Sequence, residues 1–331
     1  MRAIVQHRYG SPDVLRLSEV DKPAPADDEV LVRVHAAAVN ARDWHIMRGD
    51  PYVVRLMSRA TFGFGAPKRK IRGSDVAGRV EAVGRNVTRF RPGDEVYGDV
   101  READGAFAEY VCIPDGLLER KPATLTFEQA AAVPLAATTA LLGLRDTAQV
   151  RPGQRILING ASGGVGTFAV QIAKVFGADV TGVCSTRNVD LVQSIGADHV
   201  VDYTREDFTR AGRRYDVVFD LVGNRSLADC RRALTPTGTL LLSGGGVSTG
   251  GSLLGPLGLM LKGQALSRLV RQRLLLLTAT PGADHLASLR ELIEAGQVAP
   301  VVDRTYPLNQ VPEAIRYVET EHARAKVVIT V

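Results

Sequence analysis

The stretch RILINGASGGVGTFAVQIAK, from Arg155 to Lys174, constrains this chain more than any other. An apolar β-like run ends at Asn159, a glycine-rich turn follows, and a helical pattern begins near Gly163. Read in register, Ala161-x-Gly163-x-x-Gly166 is a G-x-G-x-x-G fingerprint with alanine in first place. Small residues at Ala161, Gly163 and Gly166 let the backbone approach a pyrophosphate, and the whole turn, with Ser162, Gly164 and Val165 between them, is the expected cofactor contact. The charge of that group meets free N–H groups at the helix N-terminus. Such a turn has this meaning only within alternating strands and helices. The strands DVTGVCS, HVVDY, YDVVFDLVG and GTLLLSGGG do alternate here with the helices VDLVQSIG and SLADCRRAL. Strands this continuously apolar imply an α/β fold with a parallel sheet covered on both faces.

The next strand selects the nucleotide. An acidic residue about 20 positions beyond the glycines would hold a ribose 2′-hydroxyl. Counting from Gly166 reaches Ser185 instead, followed by Thr186 and Arg187. Two small hydroxyl residues and an arginine suit a 2′-phosphate, so NADPH is favoured over NADH; a solvated loop position for Arg187 is the other reading.

The first third of the chain has a different texture. EVLVRVHAAAV, RGSDVAGRVEAVG, DEVYG and GAFAEYVCI are short strands with turn punctuation at Pro92–Asp94, which predicts a β-rich, barrel-like unit. From about Thr126 the run FEQAAAVPLAATTALLGLRDTAQV is helical, with breaks expected at Pro134 and Gly143. The last strand, KVVITV, follows the helix PEAIRYVETEH and is expected to return to the first unit, because the parallel sheet is already complete. A length of 331 residues supports two domains. They are expected at 1–124 with 300–331, and at 125–299.

Composition narrows the partners. The net charge of +5 is modest and the basic residues are scattered, which argues against nucleic acid. The apolar region Gly251–Thr280 is interrupted by Lys262, Arg268, Arg271 and Arg273. It lacks the run of about 18 apolar residues that spans a bilayer, so no stable membrane insertion is expected. A covered segment leading into the strand RLLLLTAT is one reading, and a basic amphipathic surface for a membrane or second subunit is the other. Cys112, Cys184 and Cys230 form no C-x-x-C pair, and the N-terminus lacks a signal-peptide core. Both point to a reducing, cytoplasmic setting.

The stretch VHAAAVNARDWHIMRGDPY, Val34–Tyr52, raises a metal question, because zinc is held by His, Cys and carboxylates at close spacing. His35 lies in a strand and is expected to pack there. His45 reads as a loop or rim residue, and Trp44 as a packing aromatic.

Taken together, MRAIVQHRYGSPDVL, GSDVAGRVEAVG, RPGDEVYG, NGASGGVG, SIGADHVVDY and HARAKVVITV resemble the medium-chain dehydrogenase/reductase superfamily, in its zinc-independent quinone oxidoreductase and enone reductase branch. The resemblance covers essentially the whole chain. It implies a GroES-like β-barrel domain built from both chain ends, an inserted Rossmann domain, and a cleft holding nicotinamide. Zinc alcohol dehydrogenases carry a cysteine ligand where this chain has Asn40, and a His-Glu pair where it has Ser74-Asp75. Losing soft and imidazole ligands together removes the zinc site, so no metal is expected. Hydride addition to an electrophilic enone or quinone needs a Lewis acid less than alcohol oxidation does.

The resemblance also implies site residues. Asn40 and Asp43 match an N-x-x-D pattern beside the nicotinamide. Asn40 is suited to donate to a substrate carbonyl, and Asp43 is either a site residue or a turn and cap residue. Tyr52, shortly after Gly49, is the proton-donor candidate. Thr138 and Thr139 match a threonine near the nicotinamide, and Tyr203 ends a strand on the adenosine side. Val222, Asn224, Ser243, Gly244 and Gly245 follow the carboxyl ends of later strands, where an open parallel sheet binds its ligand. Lys326 stands either near the cofactor or as a helix-flanking surface lysine.

These readings converge on an NADPH-dependent, zinc-free reductase of quinones, alkenals or enones, expected as a homodimer. The enzyme alternative is an enoyl-thioester reductase, with Arg55, Arg59 and Lys68–Lys70 at a basic entrance. The other-class alternative is a nucleotide-binding or membrane-peripheral interaction protein, motivated by Leu266–Leu277.

Overall fold

The computed structural model describes residues 1–50, 63, 66–101, 104–243, 270–277, 280, 282–320 and 323–331. Tyr52, Arg55, Arg59, Gly244 and Gly245 lie outside the described residues, as do most of Val53–Lys70 and the apolar-basic stretch before Val270. The chain divides into two compact units. One comprises residues 1–138, 281–296 and 300–331; the other comprises 139–280 and 297–299.

The first unit opens with an antiparallel pair, β1 (Arg2–Gln6) and β2 (Leu15–Glu19). Five strands follow: β3 (Glu29–Val39), β4 (Asp75–Val83), β5 (Glu95–Asp99), β6 (Tyr110–Pro114) and β7 (Leu118–Arg120). The alternation in EVLVRVHAAAV makes β3 the hub of the sheet, pairing with both β4 and β6. The side chains of Val32, Val34, Val76, Val96, Phe107 and Leu118 fill its core. Burial of each such side chain stabilises by roughly 1.5–3 kcal/mol.

The second unit is a six-stranded parallel sheet among the described residues. Its strands are β8 (Arg155–Asn159), β9 (Asp179–Cys184), β10 (His199–Asp202), β11 (Tyr215–Asp220), β12 (Leu234–Leu242) and β13 (Arg273–Leu276). They lie in the order β10-β9-β8-β11-β12-β13. The order reverses between β8 and β11, which creates a crevice at the carboxyl ends of the strands. The final strands, β14 (Val302–Pro307) and β15 (Lys326–Thr330), belong to the first unit. There β15 pairs antiparallel with β3, so the sequence-based expectation for KVVITV agrees with the topology.

Helix α1 (Ala41–Arg48) ends at Gly49, which takes a left-handed φ of 64°. Helix α2 (Phe127–Ala131) is closed by a capping box between Thr126 and Gln129. Helix α3 (Pro134–Leu141) begins at Pro134, where a break was expected. Gly143 does not end the helical run; it lies in a widened turn, Leu142–Thr147. A Cβ at Gly143 would stand 2.9 Å from Phe219 Cζ, so close approach to the sheet is what calls for glycine there.

The division between units differs from the one that composition suggested. Phe127 of α2 stacks on His35 of β3 at 4.3 Å, and the Leu135 N–H donates to Asp75 Oδ1 at 2.9 Å. Helix α5 (Ala283–Glu294) is likewise tied to the first unit. Tyr97 Oη donates to the Leu286 carbonyl at 2.8 Å, and Arg290 pairs with Glu119 at 3.3 Å. The change at Thr126 marks a change of secondary structure, while long-range ring and hydrogen-bond contacts tie each helix to its unit.

Arg72 is fully buried and paired with Asp104 at 2.9 Å, and Arg42 reaches the other carboxylate oxygen at 2.8 Å. Asp104 sits at φ 53°, a conformation asparagine tolerates. Asp104→Asn is therefore expected to keep the backbone but strand a buried guanidinium, costing about 3–5 kcal/mol of stability. Urea unfolding of wild type and variant measures this.

Candidate active site

In the first unit, Asn40 stands where β3 hands over to α1. Its backbone N–H donates to Asp43 Oδ2 at 2.7 Å, one half of a capping box. Its side chain faces β4 and β15. Asn40 Nδ2 donates to Asp75 Oδ2 at 2.9 Å, with Ser74 Oγ at 3.3 Å and the Ala38 carbonyl at 3.4 Å. Asn40 Oδ1 accepts from Lys326 Nζ at 2.5 Å, and the same ammonium reaches Asp75 Oδ2 at 3.2 Å. Lys326, read from sequence as a cofactor-side or surface lysine, is 2% exposed and stands in β15, so its surface placement is corrected. The strand must bury it because β15 is covered on both faces.

This donor set does not fit zinc. An amide, a hydroxyl and a carboxylate are arranged around a lysine ammonium, and a second cation there would meet Coulomb repulsion without soft or imidazole ligands. Asp43 is fully buried and caps α1. Burial pushes its carboxyl up to about 7, against the pull of the Arg42 charge. Asp99 is raised as well, first by burial and then by the nearby charge of Asp75. His35 stacks on Phe127, and burial lowers its pKa. His45 stacks on Trp44 at 3.6 Å and is lowered for the same reason. Both histidines are packing residues here, and His45 is part of α1 rather than a loop.

In the second unit, the turn after β8 leads into α4 (Gly164–Val175), with Gly163 at the N-cap. A Cβ at Gly166 would stand 2.1 Å from the Gly160 carbonyl and 2.8 Å from Ala161, so only hydrogen fits where helix and turn meet. The Gly160 and Ala161 N–H groups donate to the Val183 carbonyl, which pins the turn to β9. Ser162 and Ser185 both accept from Asn188 Nδ2, at 3.1 and 3.3 Å. The Tyr203 N–H donates to the Cys184 carbonyl, and Tyr203 is 45% exposed beside exposed Thr186 and Arg187. Ser162, Ser185, Thr186, Arg187 and Tyr203 thus gather at the carboxyl ends of β8, β9 and β10.

Asp220 organises the next loop. Its Oδ1 accepts from Asn159 Nδ2 at 2.9 Å and from the Val222 and Gly223 N–H groups at 3.1 and 2.9 Å. Asn159 also donates to Asn224 Oδ1 at 3.0 Å, and the Ser243 N–H donates to the Asp220 carbonyl. Val222, Asn224 and Ser243 are therefore brought together beside the glycine turn. Thr138 is buried, and the division between the units falls between Thr138 and Thr139.

Sequence reasoning missed Asp75, Asn188, Asp202 and Asp220. Asp75 was visible as a departure from a His-Glu pair, and Asp220 as the acid ending an apolar strand. Asn188 and Asp202 carried no signal, since their roles depend on which strand ends meet. Thr186 Oγ1 donates to Asp202 Oδ2 at 2.6 Å.

The raised carboxyl of Asp43 sets a pH dependence. Between its unfolded value near 3.8 and its folded value of about 7, the folded state binds more protons than the unfolded state. This contribution therefore lowers stability as pH rises through that window and levels off above it. Asp43→Asn, which keeps an acceptor for the Asn40 N–H, is expected to flatten the decline in urea midpoint from pH 4 to pH 7 relative to wild type.

Comparison with known proteins places this geometry. Residues 26–123 match the alcohol dehydrogenase GroES-like domain, and residues 195–329 match the zinc-binding dehydrogenase family. The chain is 36% identical to the NADPH-dependent alkenal/one oxidoreductase of Arabidopsis thaliana, over 99% of this chain and 79% of that protein. The quinone oxidoreductase of Coxiella burnetii superposes with a TM-score of 0.87 at 29% identity, covering 100% of this chain and 99% of the other. The Escherichia coli quinone oxidoreductase in complex with NADPH superposes at 0.84 with 25% identity, covering all of both chains. By sequence similarity over nearly its full length and by fold, this chain belongs to the medium-chain dehydrogenase/reductase superfamily, in its quinone oxidoreductase and enone reductase branch.

Proposed function

We propose that the protein is an NADPH-dependent, metal-free oxidoreductase that delivers hydride to quinones or α,β-unsaturated carbonyl compounds such as alkenals and enones. The observation that carries this reading is the donor set at Asn40. Where a zinc dehydrogenase polarises an alcohol oxygen, this chain holds a lysine ammonium between an amide and a carboxylate. An acceptor already electrophilic through conjugation is the substrate class that such a site suits.

The second unit suits the dinucleotide. The Ala161–Gly166 turn and the first turn of α4 present N–H groups to a pyrophosphate. Ser185, Thr186 and Arg187 offer hydroxyl and guanidinium contacts to a 2′-phosphate, with Tyr203 beside them. Val222, Asn224 and Ser243 line the loops nearer the crevice, with Gly244 and Gly245 following in sequence. Bound NADPH supplies the hydride. On the substrate side, Asn40 holds an N–H for the acceptor carbonyl, Asp43 fixes the backbone of Asn40, and Tyr52 or water supplies the proton to the enolate. Thr138 and Thr139 are assigned to the nicotinamide side.

We also read the protein as a cytoplasmic homodimer. The three cysteines are free, and burial raises their thiols to about 11 for Cys112 and Cys184 and about 12 for Cys230. Such inert thiols suit a reducing compartment. Among the described residues, strand β13 lies at the sheet edge with Leu276 42% exposed, which supports pairing through that edge. Among the described residues, no helix is long and apolar enough to cross a membrane.

The test is NADPH oxidation over a panel of quinones, alkenals, cyclic enones and enoyl thioesters, with metal content measured on the same sample. Turnover of the first three classes after exhaustive chelation is expected; activity that vanishes on chelation and returns with zinc overturns the reading. Arg187→Ala is expected to raise KM for NADPH by about 10-fold or more, as loss of a charge-assisted bond implies, and to leave KM for NADH nearly unchanged. Tyr52→Phe is expected to lower kcat for enones if the phenol is the proton donor, and unchanged kcat assigns that proton to water.

A further inference from the structure

A lysine ammonium that is 2% exposed carries a heavy desolvation penalty unless the surrounding groups return it. Lys326 is offset by one carboxylate oxygen at 3.2 Å and, more closely, by the amide oxygen of Asn40 at 2.5 Å. Lysine has donors and no acceptor, so the amide must turn its oxygen toward Nζ. That choice aims Nδ2 at Asp75, whose other oxygen is held by the Leu135 N–H at 2.9 Å. One amide hydrogen is then firmly bound to Asp75. The other faces Ser74 Oγ at 3.3 Å and the Ala38 carbonyl at 3.4 Å, both beyond ideal length. It is the hydrogen that a stronger acceptor can take. A charge-assisted bond to the amide oxygen also draws electron density from the nitrogen and strengthens its N–H groups as donors.

We propose that Lys326 is a positioning residue for hydride transfer: its buried ammonium fixes the orientation of the Asn40 amide and polarises it, so that the loosely held N–H meets the acceptor's carbonyl oxygen as charge develops there. This rests on the reading of the chain as a reductase of conjugated carbonyls. The β-carbon gains hydride with its two electrons, the C=C pair shifts to give the enolate, and the α-carbon takes a proton from water or Tyr52; the dihydronicotinamide is oxidised. Lys326 transfers no proton. It delivers positive charge through one amide to the site where a zinc dehydrogenase uses a metal.

The test pairs Lys326→Met with Asp75→Asn, which removes both buried charges together and so avoids a stranded carboxylate. In this double variant kcat for an enone is expected to fall about 10²-fold, the scale for loss of an oxyanion donor, with Kd for NADPH changed less than about two-fold. Adding Asn40→Ala to it is expected to cost little more, because residues acting through one another are not additive. Unchanged kcat, or losses at Lys326 and Asn40 that simply add, overturns the proposal. If the double variant does not fold, Lys326→Arg serves in its place: the planar guanidinium cannot reproduce the compact ammonium, and an unchanged kcat again overturns the proposal.

A second readout needs no turnover. 4-Nitrophenol bound with NADP⁺ is expected to ionise at lower pH on wild type than on the variants, because its phenolate oxygen resembles the enolate. A Lys326-dependent shift without any enone turnover leaves the donor assignment standing and removes the reductase reading. Enone turnover with neither a shift nor a kcat loss in the variants does the reverse.

Discussion

The first unit turns on one buried ion pair. Lys326 of the last strand, Asp75 at the start of β4, Asn40 between β3 and α1, and Leu135 at the start of α3 meet through hydrogen bonds that bridge up to 286 positions. Each element reaches this point for its own reason: β15 because it pairs with β3, β4 because it pairs with β3 on the other side, and α3 because Pro134 starts it there. In a site this dry a lone ammonium or carboxylate would be expensive, so the group persists only as a whole. The same arrangement sets the local charge, since the Lys326 ammonium is held between an amide oxygen and a carboxylate. Around it Asp43 and Asp99 carry raised carboxyls, which places several titratable groups in one buried layer.

The second unit has a matching organiser of opposite character. Asp220 at the end of β11 gathers Asn159 and the Val222 and Gly223 N–H groups, holding the loops at the crevice in one conformation. Asn188 does the same for the glycine turn and the end of β9, through Ser162 and Ser185. Each also keeps one buried oxygen, Asp220 Oδ2 and Asn188 Oδ1, without a partner among the described residues, while the bonds each does make fix the loops around it.

Much of the fold was legible in the residues. The glycine turn and its surrounding alternation identify the parallel sheet, and KVVITV was traceable to the first unit because the other sheet was complete. Asn40 stood out as a departure from a metal-ligand pattern. Three other points were not readable. Gly143 looked like a helix break, yet it serves close packing against Phe219. Helices α2 and α5 looked like parts of the nucleotide unit, yet both belong to the first, where Phe127 stacks on His35 and Tyr97 donates to the Leu286 carbonyl. Lys326 was open between a cofactor-side and a surface position, because burial of the strand that carries it is not visible in the local sequence.

The local pattern of the sequence determines strand, turn and helix, and with them the nucleotide-binding class, because those depend on steric rules acting within a few residues of each other. What occupies the centre of the first unit was decided by tertiary structure alone. A lysine's reach, burial and partners depend on strands hundreds of residues apart being brought into register, and only that register turns Asn40, Asp75 and Lys326 into a single charged device.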